Sequence, residues 1–318
     1  MSRGEIEPET PEIWVLDPIA PAALEEIERH ARLVRPDEAR GRDWTTSADG
    51  LIVRATPVTA AQIERATRLR VIGKHGVGLD NIDVAAAEKR GIVVENTPGA
   101  NATSVAELAV GMALCLARRI PQHDRALRAG ARPAPAQLQG LELAGASIGI
   151  VGFGNTGSAA AWRFHSGLGS RVLVHDPYLP AEAFPEWVER VASLDHLLTR
   201  ARIVSLHVPL DAATRGLIGA RELELLGACG YIVNLSRGGV VDEMALANAL
   251  RLGTISGAAS DVFIEEPPPP SHPLLQLDNF IATPHVGAAT AEALDRVGHE
   301  VATKVLNIVL NPTISVRR

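Results

Sequence analysis

The chain of 318 residues carries 31 Lys and Arg against 37 Asp and Glu, a formal net charge of −6, with 46% hydrophobic and 21% charged residues. That is an ordinary globular composition, long enough for two domains, and it excludes a disordered chain or a broad basic surface for nucleic acid. No apolar run reaches membrane-span length, and the polar stretch from Met1 to Glu12 has no signal-peptide core.

Ile13-Trp14-Val15-Leu16 reads as a first strand and residues 22–31 as a helix. Leu51-Ile52-Val53 is the next strand and runs into Arg54; residues 59–69 are helical, with Thr59 as the cap. Val71-Ile72-Gly73 is a strand ending in Lys74-His75-Gly76-Val77-Gly78-Leu79-Asp80-Asn81. A helix at 84–90 stops at Gly91, and Ile92-Val93-Val94 follows. This alternation predicts a parallel α/β unit of about 100 residues. Asn96-Thr97-Pro98-Gly99-Ala100-Asn101 breaks the rhythm before a long apolar helix at 104–117. Residues 121–145, rich in Pro, Ala and Gly, read as a connection. Cys115 and Cys229 provide neither a disulfide framework nor zinc spacing and read as buried filler, so a reducing cytoplasm is expected.

A second unit opens at Ile148-Gly149-Ile150-Val151-Gly152-Phe153-Gly154-Asn155-Thr156-Gly157, a β-branched run ending in Gly-x-Gly-x-x-Gly before a helix at 158–168. Gly152 makes the tight turn, Gly154 lets backbone approach a pyrophosphate, and Gly157 lets the helix pack on the strand. The N–H groups at that helix start favour the phosphates. A second strand, Arg171-Val172-Leu173-Val174-His175, ends in Asp176, an acid at the spacing of a ribose contact. Asp176 accepts from ribose hydroxyls and repels a 2′-phosphate, so NAD is expected rather than NADP. Strands at 203–207, 231–234, 255–259 and 280–282 follow, with helices between them, the clearest at 193–202 and 242–253. The chain closes on a helix at 291–311.

Three side chains follow directly on strands of this second unit, where open parallel sheets bind ligands. Arg237, in Asn234-Leu235-Ser236-Arg237-Gly238-Gly239, is suited to clamp a carboxylate and polarise a carbonyl. Glu266 and His285 make a carboxylate–imidazole combination that fixes a tautomer and delivers a proton near neutral pH.

These stretches, with Gly76-Val77-Gly78-Leu79-Asp80-Asn81-Ile82-Asp83, Asn96-Thr97-Pro98, Val105-Ala106-Glu107-Leu108, His207-Val208-Pro209-Leu210, Asp261-Val262-Phe263 and Thr283-Pro284-His285-Val286-Gly287, span about residues 50–290. Over that span the chain resembles the D-2-hydroxyacid dehydrogenases, on the branch of 3-phosphoglycerate dehydrogenase and the hydroxypyruvate and glyoxylate reductases. The resemblance implies an α/β fold of two Rossmann-like parallel-sheet domains. A discontinuous, flavodoxin-like substrate domain (1–99 and 288–318) would surround an NAD-binding Rossmann domain (100–287). Catalysis falls to Arg237, Glu266 and His285. Cofactor contacts fall to Gly152, Gly154, Asn155, Thr156, Gly157, Asp176, Val208, Pro209, Leu235, Ser236, Arg237, Asp261, His285 and Gly287, with Asp261 on the nicotinamide amide. Substrate contacts fall to Arg54, Lys74, His75, Gly76, Val77, Gly78 and Asn101, the backbone N–H groups of 75–78 holding the carboxylate. No metal is implied. The expected partners are a small 2-hydroxy or 2-oxo acid and a second copy of the chain, docked through the NAD-binding domain.

Departures from the family pattern bear on substrate. Arg54-Ala55-Thr56 stands where relatives carry Arg-Ser-Ala-Thr, and Val77 stands where Thr is common. Lys74 and His75 add charge or potential charge to the loop, suiting a second anionic group. The chain ends at Arg318 without the regulatory extension of many phosphoglycerate dehydrogenases, so serine control is not expected. The alternatives are a hydroxypyruvate or glyoxylate reductase and, in another class, a non-catalytic NAD-sensing scaffold; the intact Arg, Glu and His set favours catalysis.

Overall fold

The computed structural model describes residues 10–132 and 134–311, and over them the strands form two parallel sheets. The first has the order β2-β1-β3-β4-β5, from β1 (Glu12–Val15), β2 (Arg32–Val34), β3 (Gly50–Val53), β4 (Val71–Lys74) and β5 (Val93–Glu95). The second has the order β12-β11-β10-β9-β6-β7-β8. Its strands are β6 (Ser147–Val151), β7 (Arg171–His175), β8 (Val188–Arg190), β9 (Ile203–Leu206), β10 (Tyr231–Asn234), β11 (Gly257–Ser260) and β12 (Phe280–Ala282). Central strands such as β1, β3 and β9 are buried along their whole length, because helices cover both faces of a parallel sheet.

The described chain divides into two compact units. One runs through Asn101 and resumes at Thr290; the other is Ala102–Ala289. The last helix, Ala291–Leu310, is part of the first unit because two strand glycines make room for it. A Cβ on Gly73 would lie 2.5 Å from Val305 Cγ2, and one on Gly50 would lie 2.9 Å from Val305 Cγ1. Ile13, Ile52, Val71, Val301 and Val305 then form one apolar cluster in the unit. The first unit is therefore discontinuous in sequence.

In the second unit the strand order reverses between β6 and β9. β7 and β8 lie on one side of that point, and β10, β11 and β12 on the other. Such a switch point leaves a crevice beyond the carboxyl ends of the strands.

Several local readings need correction. The segment at 121–145 is not merely a connection, because Ile120–Arg128 is helical. Pro121 at its first turn and the Asp124–Arg128 ion pair four residues apart support it, while none of its residues is buried. The helix after the fingerprint is Asn155–Trp162, followed by a π-helical turn at Arg163–Gly167. β2 and β8 were not expected from the pattern. Both are short edge strands with one buried residue each, too little for an apolar run. Cys229 is exposed and Cys115 only partly buried, so neither is core filler. Thr59 does cap its helix, in a reciprocal box with Gln62. Among the described residues no helix is long and apolar enough to cross a membrane.

Candidate active site

The fingerprint turn is held by backbone contact. Gly152 has φ +86°, and a Cβ there would lie 2.6 Å from the His207 carbonyl oxygen. A Cβ on Gly157 would lie 2.0 Å from the Gly152 carbonyl oxygen, so only glycine lets the helix start this close to the strand. Gly154 precedes the first helical residue, Asn155, and a Cβ there would meet nothing within 4 Å. The result is a backbone cradle with open space above it, formed with Thr156 at a helix N-terminus, as a pyrophosphate requires.

Asp176, just past β7, is bonded into the same turn. Its Oδ2 accepts the Phe153 N–H at 2.8 Å, and its Oδ1 accepts from Tyr178 N at 3.0 Å and Leu179 N at 3.3 Å. Val208 and Pro209 follow β9, and Leu235 and Ser236 follow β10. Asn234 shapes that last loop: its Oδ1 accepts from Ser236 N at 3.1 Å and Ser236 Oγ at 2.6 Å, and its Nδ2 donates to the Arg237 carbonyl at 3.1 Å.

His285 and Glu266 are brought together, with His285 Nδ1 2.7 Å from Glu266 Oε2. The second Glu266 oxygen accepts the Phe263 N–H at 3.0 Å. Burial pushes the Glu266 pKa up, but the bonds from His285 and Phe263 and the charges of His285 and Arg237 outweigh it, leaving the carboxyl below its ordinary value. An ionised Glu266 fixes the imidazole proton on Nδ1 and leaves Nε2 to exchange a proton elsewhere. Arg237 is tied to its own loop by Nη1 donating to the Ser236 carbonyl at 2.7 Å.

Asp261 lies beneath His285 and is 2% exposed. Its carboxylate accepts from Thr283 Oγ1, from Val286 N at 2.8 Å and from Gly287 N at 2.7 Å, and its carbonyl accepts the His285 N–H at 2.8 Å. These bonds hold His285 at φ +54°, a conformation non-glycine residues rarely adopt. Asp261 thus sets the His285 loop, and Ser104 Oγ secures its end on the Gly287 carbonyl at 2.6 Å.

In the other unit, Asp17 organises the Arg54 loop, and sequence reasoning had passed over it. Its Oδ2 accepts from the backbone N–H groups of Arg54 at 2.6 Å, Ala55 at 3.0 Å and Thr56 at 3.1 Å, and its Oδ1 accepts from Thr56 Oγ1 at 2.8 Å. Burial pushes the Asp17 pKa up, but those bonds hold it below the usual range. The only available signal was its place directly after a strand.

Lys74 Nζ donates to the Arg54 carbonyl at 2.6 Å and to Asn81 Oδ1, so it braces the loop. His75 is 5% exposed, and burial, then the Arg54 charge, lowers its pKa to about 4. It is neutral near pH 7, so the potential charge read from the sequence is not realised there. Its backbone N–H is also committed, to the Val53 carbonyl at 2.8 Å. Among the described residues no hydrogen bond engages the N–H groups of Gly76, Val77 and Gly78, while Thr97 N holds the Gly76 carbonyl at 3.0 Å and Asn96 Nδ2 the Val77 carbonyl at 2.7 Å. Asn101 lies at the end of this unit's first segment, partly buried. No cluster of three or more metal-ligating side chains occurs among the described residues.

Residues 110–287 match the family model described as D-isomer specific 2-hydroxyacid dehydrogenase, NAD binding domain. The chain is 44% identical over 264 residues to the D-3-phosphoglycerate dehydrogenase of Methanocaldococcus jannaschii, covering 82% of this chain and 50% of that protein. It is 44% identical over 261 residues to the hydroxypyruvate reductase of Thermotoga maritima, covering 81% of this chain and 83% of that protein. The solved structure of the TT0316 protein from Thermus thermophilus aligns with a TM-score of 0.85 at 34% identity, covering 95% of this chain and 97% of that one. The chain therefore spans about half the length of the phosphoglycerate dehydrogenases it matches.

Proposed function

The chain belongs to the D-isomer specific 2-hydroxyacid dehydrogenases, and on that premise we propose that it interconverts a 2-hydroxy acid and its 2-oxo acid by hydride transfer with NAD. The observation that carries the proposal is the His285–Glu266 pair at 2.7 Å, beyond the strand ends of a unit with a dinucleotide fingerprint. Bound NADH supplies the hydride. His285 presents a proton at Nε2 to the substrate oxygen, Glu266 holds the imidazolium through Nδ1, and Arg237 binds the carboxylate and polarises the carbonyl. In oxidation the neutral Nε2 takes the hydroxyl proton. Gly152, Gly154, Asn155, Thr156 and Gly157 are assigned to the pyrophosphate and Asp176 to the adenosine ribose. Asp261 is assigned the nicotinamide side with Gly287, on the oxygen capacity its loop bonds leave. Substrate-side roles go to Arg54, Asn101 and the N–H groups of Gly76–Gly78.

A panel of 2-oxo acids assayed for NADH oxidation tests the reading, and inactivity across the panel would leave the scaffold alternative. The first substrate reading is 3-phosphoglycerate or a similar anionic acid, with hydroxypyruvate or glyoxylate as the second. In the same assay NADH outperforms NADPH in kcat/KM, because a 2′-phosphate meets the Asp176 carboxylate. Equal efficiency with NADPH sinks that assignment.

Lys74 and Arg54 are separable. Lys74→Ala loosens the Arg54 loop and raises KM for phosphorylated and unphosphorylated acids alike, whereas Arg54→Ala raises it more for the dianion. A dianion-selective Lys74 effect would place its ammonium on the substrate instead. We also infer a homodimer through the NAD-binding unit, supported by Trp162, 54% exposed beside a surface hollow lined by Glu107, Val110 and Leu168. Sedimentation at twice the chain mass supports it, and at the chain mass refutes it.

A further inference from the structure

A second Glu–His pair stands behind the first. Glu243 opens the helix Glu243–Leu252, whose Leu246, Ala247 and Leu250 are buried in the core of the Ala102–Ala289 unit. Its carboxylate faces the loop that carries Glu266. Oε1 accepts the Ile264 N–H at 2.8 Å, and Oε2 lies 3.1 Å from His272 Nε2. His272 Nδ1 accepts the Leu274 N–H at 3.4 Å, which puts the ring proton on Nε2 and makes it the donor to Glu243. The two side chains are shielded, 14% exposed for His272 and 15% for Glu243.

The two bonded residues bracket Glu265-Glu266-Pro267-Pro268-Pro269-Pro270-Ser271. The prolines make that bracketed segment stiff, so pinning its ends fixes its middle. Ile264 offers no apolar anchor of its own, being 69% exposed. The loop must also be placed closely, because a Cβ on Gly238 would lie 2.0 Å from the Phe263 carbonyl oxygen. The Arg237 loop and the Glu266 loop therefore meet backbone to backbone. The charged groups acting on Glu266 are His285 and Arg237, and the one facing Glu243 across the loop is His272.

We propose that Glu243 and His272 are positioning residues for the Glu266–His285 pair: one carboxylate pins both ends of the proline loop to a core helix and so holds Glu266 Oε2 at bonding distance from His285 Nδ1. The inference rests on the dyad reading proposed above.

The two donors meet different oxygens of the carboxylate, and glutamine replaces one of those oxygens with a donor NH₂, so Glu243→Gln loses one anchor at nearly constant size. With a 2-oxo acid that the enzyme reduces, kcat falls on the order of tenfold while the NADH Kd stays within about twofold. The NMR titration of the His285 ring in the free protein moves to lower pH, in the same direction as in Glu266→Gln. In the Glu266→Gln background, adding Glu243→Gln costs less than about twofold, because it has nothing left to act through. His272→Gln, whose amide nitrogen can replace Nε2 as donor, keeps most of the activity, and His272→Ala repeats the Glu243→Gln effect. Those two carry the same comparison if Glu243→Gln does not fold. A lowered Tm with kcat and the His285 titration unmoved overturns the inference, as does an equal loss in both backgrounds. If Glu266→Gln moves the titration and Glu243→Gln does not, only this inference falls; if Glu266→Gln does not move it, the dyad falls as well.

Discussion

His285→Ala lowers kcat for 2-oxo acid reduction on the order of 10²- to 10⁴-fold, the usual size of a general-acid contribution, and leaves NADH binding near the parent value. The substrate oxygen needs a proton as the hydride arrives, and the imidazole is the group proposed to deliver it. The fingerprint and Asp176, which are assigned to the cofactor, share no hydrogen bond with His285. Glu266→Gln separates charge from geometry. Because the Glu266 carboxyl lies below its ordinary value, it is ionised across the assay range and favours the imidazolium. Removing that charge makes His285 lose its proton at lower pH. Reduction, which needs the protonated ring, then falls away at a lower pH than in the parent. Oxidation, which needs the neutral ring, extends further to the acid side. Unmoved pH profiles in both directions would show that the pair is not the proton relay.

Gly157→Ala weakens NADH binding by about one to two orders of magnitude and lowers Tm as well. A methyl 2.0 Å from the Gly152 carbonyl oxygen meets backbone, which cannot swing aside, so the helix must withdraw from the strand. Overpacking of this kind costs about 1–3 kcal/mol or more, and the displaced helix start no longer aims its N–H groups at the phosphates. Gly154→Ala is the contrast. Its Cβ meets no protein atom within 4 Å, so Tm holds while NADH binding falls, since the space it fills is the one assigned to the pyrophosphate. Fluorescence titration with NADH beside thermal unfolding reads both. A Gly157→Ala protein with unaltered Kd and Tm would show that the close approach is dispensable.

By itself the sequence determined the parallel α/β rhythm, the fingerprint and its acid, and the presence of Arg237, Glu266 and His285 just beyond strands. Buried parallel strands are continuous apolar runs, and a nucleotide turn is written in adjacent glycines, so both signals are local. The family resemblance, rather than any periodicity, supplied the return of the last helix to the first unit; Gly50 and Gly73 beneath Val305 supply the physical reason. Edge strands β2 and β8 and the exposed helix Ile120–Arg128 bury too little to leave a pattern. Only the tertiary structure decided what the polar side chains do. Lys74 and His75 read as charge for a substrate, yet one is committed to the Arg54 carbonyl and the other is buried and neutral. Asp17 meets the Arg54 loop from 37 residues away, and Glu243 meets His272 from 29, separations no local pattern encodes. A side chain's type is fixed by its codon, but its charge state and its partner depend on burial and on which distant loop the fold sets against it.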